Sequence, residues 1–143
     1  MEARSEFAAG APTSRHDLDS RTQIHNLVVH FYREIAFDPI LAPVFDEVAE
    51  VDWAVHMPRL TNYWCRVLLG ENAYDGYLLA SHQHVHDMQA FEPMLFDRWY
   101  ELWVASIDEQ WCGPNAELAK RHAAQIMDVL SRRLCSLDWQ APR

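Results

Sequence analysis

The chain has 143 residues, half of them hydrophobic and 12% aromatic, with six Trp and only four Gly. That composition suits one packed helical domain and excludes a disordered or loop-rich chain. A formal charge of -9 and a pI near 5.2 argue against nucleic acid or an anionic membrane as partner, since both attract basic surfaces.

The three cysteines, Cys65, Cys112 and Cys135, are an odd number without C-x-x-C spacing. Neither a disulfide framework nor a zinc knuckle is indicated, both Cys65 and Cys112 are expected as packed thiols, and a reducing cytoplasm fits. Residues 1–19 lack the apolar stretch of a signal peptide and are expected to form a flexible tail. No later segment reaches the roughly 18 apolar residues of a membrane span. The boundaries expected are a tail over 1–19, one domain over 20–137 and a short tail over 138–143.

From Ser20 onward, Ile24, Leu27, Val28, Phe31 and Ile35 recur at steps of three and four, which predicts a helix with one apolar face. Ser20 and Gln23 can form a capping box at its start, and Phe37-Asp38-Pro39 should end it, because the residue before proline avoids helical angles. A helical turn through Leu41 and Phe45 follows. Asp52 can cap a second long helix whose inner face carries His56, Leu60, Tyr63, Trp64, Val67 and Leu68, with Gly70 as its stop. Pro58 removes an amide donor early in this helix, so the regular part should begin near Met57 or the helix should kink there.

A turn at "ENAYDG" and a short helix from Tyr77 to about Ser81 or His82 come next. Glu92-Pro93 opens a helix with Phe96, Trp99, Leu102, Trp103 and Ile107 on one face, and Gly113-Pro114 breaks it. The last helix, with Asn115 as its cap, places Leu118, His122, Ile126, Val129, Leu130 and Leu134 inward and Arg121, Arg132 and Arg133 outward. No alternating strand pattern and no repeat is present, so the class is all-α.

The segment "LLASHQHVHDM" holds histidines at 82, 84 and 86. On an extended strand the three would share a face and could hold one metal ion; on a helix they fan apart. The helix formers in "YLLAS" leave His82 helical and put His84 and His86 in the connection that follows. Three polar side chains also interrupt apolar stripes on different helices: Tyr32, His56 and Trp99. Each alone reads most simply as a core residue satisfied at its edge. Together they are donors converging inside an apolar shell, where an unpaired donor costs about 1–3 kcal/mol, so a small polar occupant is implied. A diatomic gas held on a metal, with partial negative charge on its outer atom, meets that requirement.

The pieces "FYREIAFDPILAPVF", "DWAVHMPRLTNYWCRVLLG", "YDGYLLASH" and "FDRWYELW", in this order from about Leu27 to Leu134, resemble the group III truncated haemoglobins. The absence of Gly-Gly agrees, because group III members lack the interhelical glycine pairs of other truncated globins. The resemblance implies a two-over-two helical sandwich around haem b. It implies His82 as the proximal iron ligand, Tyr32 and Trp99 as distal donors, His56 as the distal-helix histidine that gates or contacts the ligand, and Phe45 wedged against the macrocycle. Leu60, Trp64, Phe96 and Trp103 would line the cofactor, and Arg59 is spaced to reach a propionate. One departure is Leu95, where family members often carry His before the "FDRW" run, so no contact through an imidazole is expected there.

Such a pocket implies binding of dioxygen, nitric oxide or carbon monoxide at a five-coordinate iron. Tight holding follows, with sequestration or removal of nitric oxide or peroxide, in the manner of a dioxygenase or peroxidase. The chain has no G-x-G-x-x-G motif for a flavin or nicotinamide, so a separate reductase is expected. The alternatives are oxygen binding or sensing without catalysis, a non-haem metal protein using His82, His84 and His86, or a helical interaction module.

Overall fold

The computed structural model describes residues 15–45, 53–71, 92–136 and 139–142. Four long helices account for most of them: α1 (Arg21–Ala36), α2 (Trp53–Leu69), α3 (Pro93–Gln110) and α4 (Pro114–Cys135). Helix α1 packs on α2 and α3, and α4 packs on the same two, so two helical pairs lie against each other. Among the described residues the only strand-like feature is a single bridge between His16 and Trp111. None of the helices described is long and apolar enough to cross a membrane.

The predicted face of α1 is the face that packs: Ile24, Leu27, Val28, Phe31 and Ile35 are all fully buried. Ser20 caps α1 by accepting from the Gln23 backbone N–H. The second half of the expected capping box is absent, because the Gln23 carboxamide instead accepts from the Trp111 indole at 2.7 Å. Helix α1 ends at Ala36, as the proline at 39 requires. Asp38 then takes over, its buried carboxylate accepting from the backbone N–H groups of Ile40 and Leu41 and from Arg98 Nε at 2.6 Å. Two amides and a guanidinium satisfy a carboxylate that could not otherwise be buried. The result is a clamp that fixes the turn over 41–45, and with it Phe45, to the residue beside Trp99 on α3.

Helix α2 starts at Trp53, directly after the expected cap Asp52 (itself outside the described residues) rather than near Met57, and runs unbroken through Pro58. Pro58 is only the sixth residue, so the loss of one amide falls close to the end, where helical hydrogen bonding is weakest anyway. Gly70 terminates α2 in a left-handed conformation (φ 74°), as expected.

Helix α4 departs from the sequence reading in two respects. Its buried side consists of Ala116, Ala119, Ala123, Met127 and Leu130, whereas Val129, expected inward, is 44% exposed. The small side chains let α3 come close enough for the Trp103 indole to donate to the Ala119 carbonyl at 3.2 Å, and Leu118, His122 and Ile126 flank that contact half-buried. Asn115 is also not the cap. The N-cap is Gly113, and Asp17, almost a hundred residues away in sequence, accepts from the amides of Asn115 and Ala116 at 3.0 and 2.8 Å. Asn115 instead donates its side-chain amide to the Leu18 carbonyl.

Gly113 sits at φ 127°, and a Cβ there would lie 2.6 Å from the Asp17 side chain, so the close approach requires glycine. Residues 15–19, read from sequence as the end of a tail, are thus held against the start of α4, with Leu18 fully buried. Replacing Asp17 by Ala leaves two first-turn amides without a partner and should cost about 1–2 kcal/mol in a denaturant melt. A loss below a few tenths would mean that Asp17 does not cap α4. Cys112, expected packed, is exposed because its backbone is turned toward His16 at this junction; Cys65 is buried, and burial pushes its thiol up.

Candidate distal pocket

The polar residues singled out in the sequence come from three helices and do meet. Tyr32 is 7% exposed on α1. Its ring lies against Phe45 (centroids 5.8 Å apart), Trp53 (5.3 Å) and His56 (6.1 Å), and edge-on to Phe31 at 4.8 Å. Trp99 on α3 is hydrogen-bonded to the Tyr32 side chain, and since an indole N–H can only donate, the phenolic oxygen is the acceptor. The phenol's own proton then has no acceptor among the described residues. Burial pushes the Tyr32 phenol well above its ordinary value, against a smaller opposing effect of the Trp99 bond. Tyr32 is therefore a neutral hydrogen-bond donor, buried and without an acceptor for its O–H among the described residues.

This burial has a consequence at high pH. The unfolded chain releases the Tyr32 proton above about pH 10, before the folded chain does, so stability should fall by about 1.4 kcal/mol per pH unit beyond that point. Urea melts at increasing alkaline pH should show the slope, and Tyr32→Phe should flatten it. An equal slope in both proteins would contradict the burial of the hydroxyl.

His56 is half-buried one turn after Trp53, and the two rings are 5.6 Å apart. Trp53, absent from the sequence prediction, stacks on Phe45 at 5.9 Å and completes the aromatic wall. Its signal was the spacing of three from His56, which puts both on one helical face. Phe45 and Leu60 are partly buried against the core, and Arg59 is exposed. Trp64 and Trp103 lie deeper, stacked on each other at 4.6 Å, with Trp99 stacked on Trp103 at 5.5 Å. Phe96 is not brought to Tyr32; it belongs to a second cluster with Met127, Leu130 and Trp139. His82, His84 and His86 lie outside the described residues. Among the described residues no group of three His, Cys, Asp or Glu is placed to hold a metal ion.

A second polar pair occurs where α2 meets α4: the Tyr63 hydroxyl and His122 Nε2 are 2.7 Å apart. Burial pushes the His122 imidazole below its ordinary value, so it is a neutral base. The sequence placed both residues on inward faces but held nothing to pair them, because they are far apart in the chain.

Comparison with known proteins places this geometry. No family model matches the chain. In sequence it is similar to the group 3 truncated hemoglobin ctb of Campylobacter jejuni, 28% identical over 92 residues, spanning 62% of this chain and 70% of the relative. In structure it is similar to the crystal structure of a group III truncated hemoglobin from Campylobacter jejuni, with a TM-score of 0.73 and 24% identity, covering 84% of this chain and 94% of the other. The fold is therefore the all-α truncated-globin fold. In sequence and in fold the chain is thus similar to group III truncated haemoglobins.

Proposed function

We propose that this chain holds haem b in its helical sandwich, with His82 as the axial ligand, and binds dioxygen, nitric oxide or carbon monoxide on the Tyr32 side. The observation that carries this reading is the buried Tyr32 hydroxyl, which accepts from Trp99 and has no acceptor for its own proton among the described residues. The aromatic and aliphatic wall of Phe45, Trp53 and Leu60 suits a flat apolar macrocycle, and exposed Arg59, three residues after His56, suits a propionate at its edge. The group would supply an iron with one coordination position open to a diatomic gas.

The protein's part is the placement of donors. Trp99 donating to the phenolic oxygen polarises the Tyr32 O–H and makes it a stronger donor toward the outer atom of a ligand. The sequence pattern suggested both groups as direct donors; the geometry supports Tyr32 in that role and Trp99 as the residue that orients it. His56, packed beside Tyr32 through ring contact, stands where it would gate entry or add a second contact.

Such a pocket holds its ligand tightly, which suits sequestration or removal of nitric oxide or peroxide better than rapid delivery. Sustained turnover requires electrons, and a separate reductase is the partner this reading calls for. The free cysteines accord with a reducing, cytoplasmic setting. Replacing Tyr32 by Phe removes a hydrogen bond of about 1.4 kcal/mol and should speed dioxygen release about tenfold in stopped-flow measurements, with Trp99→Phe giving a smaller increase. Unchanged rates in both variants would overturn the donor assignment.

A further inference from the structure

The core contains a continuous file of oxidisable rings that runs on from Trp99, well past the residues around Tyr32. Trp99, bonded to Tyr32, stacks on Trp103 at 5.5 Å with planes 17° apart, and Trp103 stacks on Trp64 at 4.6 Å and 26°. Trp64 meets Tyr63 edge-on at 5.5 Å, and the Tyr63 hydroxyl ends on His122. Every step is a van der Waals contact, where electron tunnelling is fastest because it decays exponentially with separation. Trp64 and Trp103 are both shielded from water, at 3% and 0% exposure.

The two ends of the file differ in one chemical respect. Oxidising a phenol at neutral pH requires its proton to leave with the electron. Among the described residues the Tyr32 hydroxyl makes no hydrogen bond to a base, His56 meeting its ring edge-on, and the Trp103 N–H faces only a backbone carbonyl. Tyr63 faces His122 Nε2 at hydrogen-bond distance, and a neutral imidazole protonated on Nδ1 can accept its proton directly. An electron vacancy created near Trp99 therefore migrates down the file and comes to rest at Tyr63.

We propose that Trp99, Trp103, Trp64 and the Tyr63–His122 pair form a one-electron relay that feeds an oxidant in the Tyr32 pocket, with Tyr63 as the terminal donor. In each event Tyr63 gives one electron through Trp64 and its phenolic proton to His122 Nε2, leaving a phenoxyl radical beside an imidazolium. Two events, with Tyr63 reduced between them by a small one-electron donor of the ascorbate class, supply the two electrons that convert a peroxide and two protons to two waters. The relay itself stands on the packing of the chain, whereas its use by a peroxide rests on the haem reading above.

The test is laser flash photolysis of the full-length chain with a ruthenium polypyridyl photo-oxidant. This readout is independent of haem content, so it separates failure of the relay from failure of the cofactor reading. The indole radical absorption should decay as phenoxyl absorption rises, and Tyr63→Phe should lose most of the phenoxyl yield while prolonging the indole radical. In His122→Gln the phenoxyl should rise at least about tenfold more slowly, because the base is gone. An undiminished phenoxyl yield in Tyr63→Phe overturns the proposal. In the unaltered protein, high-field electron paramagnetic resonance should show a phenoxyl strongly coupled to one exchangeable proton, the one held by His122. A phenoxyl without that coupling overturns it equally, with no variant required.

Discussion

Replacing His82 by Ala should abolish the Soret band of protein purified after expression with added haem, and exogenous imidazole should restore it. His84→Ala and His86→Ala should leave the band in place. The expectation rests on the sequence run "YLLAS", whose helix formers predict a helical position for His82 alone, and on the resemblance of "YDGYLLASH" to the proximal segment of group III proteins. It also separates the haem reading from a three-histidine metal site, in which all three substitutions would cost metal about equally. A His82→Ala protein with an ordinary five-coordinate ferrous spectrum would show that iron is held elsewhere.

Trp103→Ala should destabilise the folded chain by about 3–5 kcal/mol in urea, the range found when a large buried aromatic is truncated. Trp103 is fully buried, stacks on both Trp64 and Trp99, meets Phe31 edge-on at 4.9 Å and donates to the Ala119 carbonyl. Its removal leaves a cavity at the point where all four helices lean on one ring, and frees a buried carbonyl acceptor. Trp99 loses the surface that holds its indole toward Tyr32, so dioxygen release should quicken even though Trp103 is not bonded to Tyr32. A loss of less than about 1 kcal/mol would mean that the site relaxes around the gap and that the indole stack does not organise the core.

Much of this was legible in the chain. The spacing of Ile24, Leu27, Val28, Phe31 and Ile35 specified the buried face of α1, and Pro39 and Gly70 marked where helices stop, because backbone geometry allows little else at those residues. Tyr32, His56 and Trp99 were identifiable as polar interruptions of apolar stripes, and the fold brings them together. Four features escaped for reasons that are physical. The first half of the inner face of α4 is made of alanines, which carry a weak hydropathy signal yet permit a close helix approach, so they were passed over while Val129 was assigned inward. The Asp17 cap and the Tyr63–His122 pair join residues distant in sequence, and no local pattern encodes such a meeting. Trp53, directly after the expected cap Asp52, was left off the inner face, although its spacing from His56 already placed both on one side.

In the proposed function, Tyr32 roofs a haem whose iron is held by His82. Absorption spectra of the purified protein in ferric, ferrous and carbon monoxide-treated forms address it most directly. An intense Soret band, a five-coordinate ferrous spectrum and a sharp shift on adding carbon monoxide are expected. A folded, helical protein that stays colourless after expression with added haem would contradict it.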